Sequence, residues 1–412
     1  MKNVLIISRW FPPLNMIASK RFGCMCGYFE DYGYIPYVLT SVGQRVKISG
    51  FSMDLPSPIN EGRILRIGQM DRAYIPHSFK YTIIGDLLER AGLFLNTLSA
   101  SSLGRYEMIR EKLECSKLKN IDIIIATYPE MDSIYVAKFL SKKLGCPYIV
   151  DFRDLVEFAD GIPTNLHHNI RLDVLIEKIC LRDASALVPV TQGYKKILRK
   201  RYPHKKIRVV YNGWESSKTE KVLDETSRIV SKYMYYAGTL YEHRLESLTL
   251  LLRCIKEIIK QEDISIVIRS AGPYEYDKKM KKIIAEYGMG GYVKILPPTS
   301  SDIVKKEQES AYFNVVLSTI HEEDSELMAT IPGKVYELLP IERPVLAIVP
   351  ENSDVDRLLR YTKKGIGTTN KNKIIDFILN RNADCIGNDR IYEFTRENQA
   401  KKYCDLIGDV IG

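Results

Sequence analysis

Short apolar runs rich in β-branched residues alternate with longer amphipathic stretches along most of the chain. This alternation is typical of parallel sheets whose strands are connected by helices. The runs in the first half are NVLIIS (3–8), IPYVLT (35–40), RILRI (63–67), IDIIIAT (121–127), PYIVDF (147–152) and SALVPVT (185–191). Those in the second half are IRVVYN (207–212), KYMYYAG (232–238), ISIVIRSAG (264–272), YVKILP (292–297), FNVVLST (313–319) and RPVLAIVP (343–350). Two such sets predict an α/β protein with two Rossmann-like, doubly wound parallel-sheet domains facing a cleft.

A change to polar sequence marks the predicted domain boundary. We expect an N-terminal domain over 1–210, a linker over 211–231 and a C-terminal domain over 232–390. The amphipathic stretch 391–412 could pack on either domain, and we expect it to form a helical tail that crosses back to the N-terminal one. At 412 residues the chain is long enough for two cores.

The charge is unevenly distributed between the two halves. Residues 1–210 carry 31 Lys and Arg against 20 Asp and Glu, a net charge of +11, whereas residues 211–412 carry 29 against 31, a net charge of −2. The basic run 194–210 has no aromatic stacking platform, so we interpret it as a solvated face and expect no nucleic-acid partner. A basic half would suit a phosphorylated substrate or peripheral contact with an anionic membrane.

The lengths of the apolar runs and the spacing of the cysteines indicate where the protein is located and whether it binds a metal. No run reaches the ~18 to 20 apolar residues that span a bilayer. The apolar run at the N-terminus is too short for a signal peptide. The eight cysteines lack zinc-site spacing and are expected in the core of a cytoplasmic protein. A peripheral position on the inner face of the cytoplasmic membrane stays open. His167 and His168 have no carboxylate at ligand spacing. We expect no metal and no cofactor.

The segment TIPGKVYELLP (330–340) carries the clearest candidate chemistry. Pro332 and Gly333 leave backbone N–H groups open at the start of a predicted helix, which favours an anion. Lys334 and Glu337 share one face of that helix, where lysine suits a phosphate and glutamate suits the hydroxyls of a ribose. A plain surface ion pair is the alternative, and the segment alone leaves both open.

Other polar or glycine residues follow predicted strands, where open parallel sheets bind ligands. They are Asp151, Arg153 and Asp154, then Asn212-Gly213, Gly238-Thr239 and Gly272-Pro273. No strand end carries G-x-G-x-x-G or a Walker A loop, which argues against a dinucleotide enzyme or a P-loop NTPase.

Several segments taken in order resemble the retaining, nucleotide-sugar-dependent glycosyltransferases of family 4, which have the GT-B fold. The resemblance spans essentially the whole chain and rests on ISRWFPP, ASKRF, DYGYIPYVLTS, IVDFRD, VTQGYKKIL with RVVYNGWE, YYAGTLYEHRLE and PGKVYELLPIERPVLAIVPENSD.

The resemblance implies a donor site in the C-terminal domain. There Gly333 would begin the helix that holds the donor, Glu337 would bind the ribose, and Lys334 and Arg244 would face the diphosphate. Gly238 and Pro332 would shape the same site, with Gly272 near the nucleobase.

The resemblance also implies an acceptor site in the N-terminal domain. Asp151 and Arg153 would form its catalytic element, and Asp154 would lie on the acceptor side. Ser19 and Arg21 would touch the donor phosphate or the acceptor. An Arg between two Asp residues could equally form a structural ion-pair cluster.

Two features depart from the family pattern. Ala329 stands where the family has an acidic residue eight positions before the ribose-binding glutamate. Glu326 and Glu323 are the candidates to reach the same space. The loop after WFPP lacks the glycine pair that the family often has there.

The implied function is sugar transfer, with retention, from a nucleoside-diphosphate sugar to a glycan or lipid-linked acceptor, in bacterial cell-surface polysaccharide synthesis. The apolar, aromatic and basic stretch 70–106 would suit a lipid-linked acceptor, or would simply be a helical pair covering the sheet. Two alternatives stay open: a nucleotide-sugar 2-epimerase type of enzyme, and a catalytically degenerate GT-B partner subunit that binds nucleotide.

Overall fold

The computed structural model describes most of the chain as two units. The described residues are 1–15, 17–41, 54–67, 120–129, 131–155, 177–216, 233–259, 264–270, 272, 274–380 and 385–412. The first unit comprises Met1–Val190, Tyr194–Asn212 and Arg396–Gly412, and the second comprises Thr191–Gly193 and Gly213–Thr395.

The first unit contains a seven-stranded sheet in the order β3-β2-β1-β4-β5-β6-β7. All of its described pairings are parallel, with Val4 of β1 opposite Pro36 on one side and Ile123 on the other. The strands are β1 (Lys2–Ile7), β2 (Tyr34–Ser41), β3 (Ile64–Ile67), β4 (Ile123–Tyr128), β5 (Tyr148–Phe152), β6 (Ala186–Pro189) and β7 (Lys206–Ile207).

The second unit contains a six-stranded sheet in the order β10-β9-β8-β11-β12-β13, again with parallel pairings. Asn314 of β11 is opposite Tyr235 on one side and Val345 on the other. The strands are β8 (Tyr233–Ala237), β9 (Ser265–Arg269), β10 (Val293–Leu296), β11 (Phe313–Leu317), β12 (Val345–Ile348) and β13 (Gly365–Gly367).

Helices connect these strands. In chain order they are α1 (Ile17–Met25), α2 (Met131–Leu144), α3 (Gln192–Arg201), α4 (Glu242–Ile258), α5 (Tyr274–Glu286), α6 (Ser301–Ser310), α7 (Ser325–Ala329), α8 (Gly333–Leu338), α9 (Asp354–Tyr361), α10 (Lys371–Leu379) and α11 (Arg396–Ile411). Every residue of β4, β5, β11 and β12 is buried, as expected for parallel strands that are covered on both faces. The predicted pair of parallel-sheet α/β domains is confirmed.

The C-terminal helix α11 packs in the core of the first unit. Tyr403 is fully buried there, with its ring centroid 5.6 Å from that of Phe22 and 6.0 Å from that of Phe29. Gln399 is also fully buried, and its side-chain oxygen accepts a 2.8 Å hydrogen bond from the backbone N–H of Tyr211. The last helix of the sequence therefore completes the first unit.

Two strand predictions need correction. The run IRVVYN was placed with the second set of strands, but its first residue belongs to β7, at the edge of the first sheet. β13 was missed because glycine is depleted in strands. A Cβ at Gly365 would lie 1.8 Å from the carbonyl oxygen of Val345, so this edge strand needs glycine to pair closely.

Some sequence predictions lie outside the described residues. These are the stretch 70–106, the histidines His167 and His168, the linker from 217 onwards, and Pro273.

We expect Tyr403→Ala to lower the free energy of unfolding by roughly 3–5 kcal/mol, because it removes a buried aromatic ring and leaves a cavity beside Phe22 and Phe29. Urea unfolding followed by circular dichroism measures this. Lys401→Ala, on the exposed face of α11, is the matched control and should change the value by less than about 0.5 kcal/mol. Equal effects of the two substitutions would contradict the packing role of α11.

Candidate functional site

The turn after β8 is the centre of the candidate site in the second unit. Gly238 has φ +140°, a conformation that glycine adopts easily, and its N–H donates to the carbonyl oxygen of Arg269 at 3.0 Å. The carbonyl oxygen of Thr239 then accepts two hydrogen bonds, from the Tyr236 hydroxyl at 3.1 Å and from Arg244 Nη1 at 2.8 Å. The turn thus holds the guanidinium of Arg244, which also lies over the ring of Tyr241 at 5.0 Å.

Lys334 reaches the same turn from the first turn of α8. Its Nζ donates to the carbonyl oxygen of Ala237 at 3.3 Å and lies 3.9 Å from the centroid of the Tyr236 ring. A Cβ at Gly238 would lie 3.1 Å from this Nζ. Position 238 therefore requires glycine for two physical reasons: the positive φ and the close approach of the Lys334 ammonium group.

The electrostatics of the site are those of two basic side chains in a partly dry environment. Burial, followed by the nearby positive charge of Arg244, holds the pKa of Lys334 well below its usual value, and Glu337 opposes this shift. Burial raises the pKa of Tyr236 to about 12, so its hydroxyl stays neutral at physiological pH. Arg244 keeps one buried N–H, at Nε, without an acceptor among the described residues. This arrangement favours a bound anion.

Helix α8 places the other predicted donor residues. Pro332 precedes the helix and provides no side-chain cap, and Gly333 is its first residue. The helix is only six residues long. Val335, Tyr336 and Leu338 are buried, whereas Glu337 is exposed on the same side as Lys334, one turn further on.

Gly272 lies against the same turn from the end of β9. A Cβ at Gly272 would be 3.2 Å from Thr239 Cγ2 and 3.8 Å from the backbone nitrogen of Leu240. Gly238, Arg244, Gly272 and Lys334 are therefore brought together, although they are up to 96 positions apart in the sequence.

The structure gives a physical reason for Ala329 at the position where the family has an acid. Ala329 is buried at the end of α7, and a Cβ on Gly193, which belongs to the same unit, would lie 2.3 Å from its Cβ. The N–H of Gly193 donates to Asp354 at 2.6 Å. A longer side chain at 329 has no room here. Glu326, which the sequence offered as a substitute acid, is buried one turn earlier.

In the first unit, Asp151 and Arg21 form a buried ion pair. Arg21 is 3% exposed and Asp151 is 0% exposed, and the two side chains make two hydrogen bonds of 2.7 Å each, from Nε to Oδ1 and from Nη2 to Oδ2. Arg21 also donates to the carbonyl oxygens of Val210 and Tyr211, at 3.0 and 3.3 Å, and to Asn212 Oδ1 at 3.0 Å. Burial and then the negative charge of Asp151 raise the pKa of Tyr403 well above its usual value.

This geometry gives Asp151 and Arg21 structural contacts rather than an open surface for substrate. The structural ion pair that the sequence left open does form at Asp151, with Arg21 rather than Arg153 as the partner. Arg153 instead approaches Asp154, Nε to Oδ2, at 3.4 Å. Asp154 is about half exposed and Arg153 is more buried, so Asp154 is the more accessible of the two.

Ser19 lies fully buried on α1, and its hydroxyl has no hydrogen-bond partner among the described residues. It is therefore not exposed to an acceptor in this structure.

Sequence reasoning missed Tyr236, Gln399 and Tyr403. Gly238 itself indicated the turn after β8. No local sequence signal indicates that the ring of Tyr236 contacts Lys334, which lies about a hundred positions away in the sequence.

Neither a metal-binding cluster nor a membrane-spanning helix occurs in the described ranges. There, no three His, Cys, Asp or Glu residues cluster as metal ligands. Nor does any helix in those ranges combine the length and hydropathy needed to cross a bilayer.

Solved structures of glycosyltransferases share this fold. Sucrose-phosphate synthase from Thermosynechococcus elongatus matches with a TM-score of 0.65 and 14% identity over 99% of both chains. A glycosyltransferase from Rickettsia africae matches with a TM-score of 0.62 and 15% identity over 100% of this chain and 98% of that one. Anabaena HepE, solved with UDP and glucose, matches with a TM-score of 0.59 and 12% identity over 99% and 100%. At these identities the similarity shows the fold, which is the GT-B type.

The same fold also occurs in another class of enzyme. UDP-GlcNAc 2-epimerase from Methanocaldococcus jannaschii matches with a TM-score of 0.53 and 14% identity over 99% of this chain and 100% of that one. No family model matches the sequence, and no curated protein matches it.

We expect Asp151→Asn to lower the free energy of unfolding by about 3–5 kcal/mol, because it leaves the Arg21 charge buried without its counter-ion. Chemical unfolding measures the change. Asp154→Asn is the matched control three positions away; its half-exposed pair with Arg153 should contribute less than about 1 kcal/mol. If Asp151→Asn abolishes turnover but keeps wild-type stability, Asp151 has a catalytic rather than a structural role.

Proposed function

We propose that this protein is a glycosyltransferase that uses a nucleoside-diphosphate sugar, with the donor held in the second unit. The observation that carries the proposal is the convergence of Arg244 and Lys334 on the Gly238 turn, where Arg244 Nε has no acceptor among the described residues. Two cations at one turn match the charge of a diphosphate, and the fold is shared with glycosyltransferases. Because HepE was solved with UDP, UDP is the first nucleotide to test.

The chemistry that this site supports is electrostatic stabilisation of the leaving group. Negative charge grows on the diphosphate as the bond to the sugar breaks, and Arg244 and Lys334 would stabilise it before the acceptor hydroxyl attacks. Glu337 would accept hydrogen bonds from the ribose hydroxyls. No metal or cofactor is required in this scheme, and we propose retention of configuration, as in family 4, from the sequence resemblance.

On the acceptor side, we propose that the first unit binds a glycan or lipid-linked acceptor of a bacterial surface polysaccharide. Arg153 and Asp154 are the candidates for acceptor contacts, because Asp151, Arg21 and Ser19 are buried. Asp151 and Arg21 would then act by positioning the loop that carries Arg153.

Peripheral contact with an anionic membrane is supported by α3. This helix ends in a basic turn, and Lys196 and Lys200 are exposed on it. Such side chains would be attracted to anionic headgroups by about 1 kcal/mol each. The protein would then be cytoplasmic and peripheral on the inner face of the membrane.

We expect Lys334→Met and Arg244→Gln each to weaken UDP binding about 10- to 100-fold, since each removes a charge-assisted hydrogen bond of roughly 1.5–3 kcal/mol. Isothermal titration calorimetry measures the affinity. Lys282→Met, at an exposed lysine on α5, is the control and should bind UDP as the wild type does. If the three variants bind alike, or the wild type binds no UDP, GDP, ADP or dTDP, the donor site is not where we place it.

A second comparison tests Glu337. Wild-type protein should bind UDP more tightly than 2′-deoxy-UDP by about tenfold, because the deoxy ligand loses a hydrogen bond to a carboxylate. Glu337→Gln should reduce this preference. An unchanged preference in the variant would show that Glu337 does not contact the ribose.

The two alternatives give different products. An epimerase, a class that shares the fold, would convert a UDP-sugar to its 2-epimer without an acceptor, detectable by NMR. A degenerate partner subunit, for which Ala329 is the supporting feature, would bind the nucleotide without turnover even when acceptors are supplied.

A further inference from the structure

The ammonium group of Lys334 lies in an unusual environment. Around it are the carbonyl oxygen of Ala237 at 3.3 Å, the Tyr236 ring at 3.9 Å and the backbone of Gly238. Within the part of the chain that the structure describes, no carboxylate forms an ion pair with Lys334. A desolvated lysine without a counter-ion is costly in its charged form.

The charged or titratable groups that face Lys334 come from three elements. Helix α4 contributes Arg244, which is always protonated and is held at the neighbouring carbonyl of Thr239. Strand β8 contributes Tyr236, whose hydroxyl is neutral. Helix α8 contributes Glu337, which is exposed, so water screens its charge. The net field at Lys334 therefore opposes protonation as long as no anion is bound.

We propose that Lys334 takes up a proton when the diphosphate of the donor binds and loses it when the diphosphate leaves. The diphosphate would supply the counter-ion that no described residue provides. This inference rests on the proposed function, because it assumes that the anion at this turn is a nucleoside diphosphate. The lowered pKa of Lys334, caused by burial and by Arg244, is consistent with it.

The sign of the pH dependence follows from this exchange. Below the pKa of Lys334 in the empty site, the lysine is charged before and after binding, so affinity does not depend on its titration. Above that pKa, and below the raised pKa in the complex, each binding event takes up one proton. Affinity for the diphosphate then falls by about tenfold for each unit rise in pH.

The test is calorimetric titration of UDP between about pH 7 and about pH 9, in two non-phosphate buffers of different ionisation enthalpy. The phosphates of UDP are mostly ionised at the lower end of this range and fully ionised at its upper end, since the second phosphate pKa is about 6. The difference in observed heat between the buffers gives the number of protons taken up. We expect uptake to rise towards one proton per UDP with increasing pH.

Lys334→Arg is the matched variant, because arginine stays charged throughout this range. It should bind UDP with no such proton uptake, and any titration of UDP itself is subtracted in this comparison. Arg244→Gln is a second variant: by removing the neighbouring charge it should shift the onset of uptake to higher pH, whatever its loss of affinity. Circular dichroism checks that both are folded.

Equal proton uptake by the wild type and by Lys334→Arg would overturn the inference, as would binding by the wild type with no uptake at any pH. Both results would leave the proposed function intact, since UDP would still bind. If no nucleotide binds at all, the proposed function fails first, and this inference fails with it.

Discussion

The direction of the strands is the constraint on which both candidate sites depend. Because the strands of each described sheet are parallel, the loops that follow them gather at one edge. Gly238 after β8 and Gly272 after β9 meet there, and the segment Ala329–Lys334 after β11 reaches the same turn through Lys334. An antiparallel sheet would have placed half of these loops at the opposite end.

The two units differ in how the charged side chains near the carboxyl ends of their strands are paired. In the first unit, Arg21 neutralises Asp151, and its remaining hydrogen bonds go to Val210–Asn212, so the charges are satisfied within the protein. In the second unit, Arg244 and Lys334 approach the same turn without a paired carboxylate among the described residues. A satisfied buried ion pair stabilises a loop, whereas unpaired cations favour a ligand. This contrast is why we place the nucleotide in the second unit and assign Asp151 a positioning role.

Sequence reasoning worked best where local pattern and burial agree. The runs that became β4, β11 and β12 were predicted because strands buried on both faces must be continuously apolar. β13 was missed because its glycines are not there for strand propensity. Gly365 allows close pairing with β12, whereas a Cβ at Gly367 would lie 2.7 Å from both Asp356 Cβ and Val349 Cγ2. Gly238, Gly272 and Lys334 were predicted as candidate site residues because open parallel sheets bind ligands beyond the ends of their strands. Tyr236 was missed because a buried tyrosine in a strand is indistinguishable by sequence from one that only packs.

The sequence by itself determined the class of fold, the candidate donor residues and the basic character of the first half, because apolar period, turn glycines and charge are local properties. Only the tertiary structure decided which charges are neutralised. Arg21 lies 130 positions from Asp151 and Arg244 lies 90 from Lys334, yet the first pair is of opposite charge and buried, and the second consists of two basic side chains. Which charges come together depends on how the chain connections bring the ends of parallel strands side by side, and no local pattern records that.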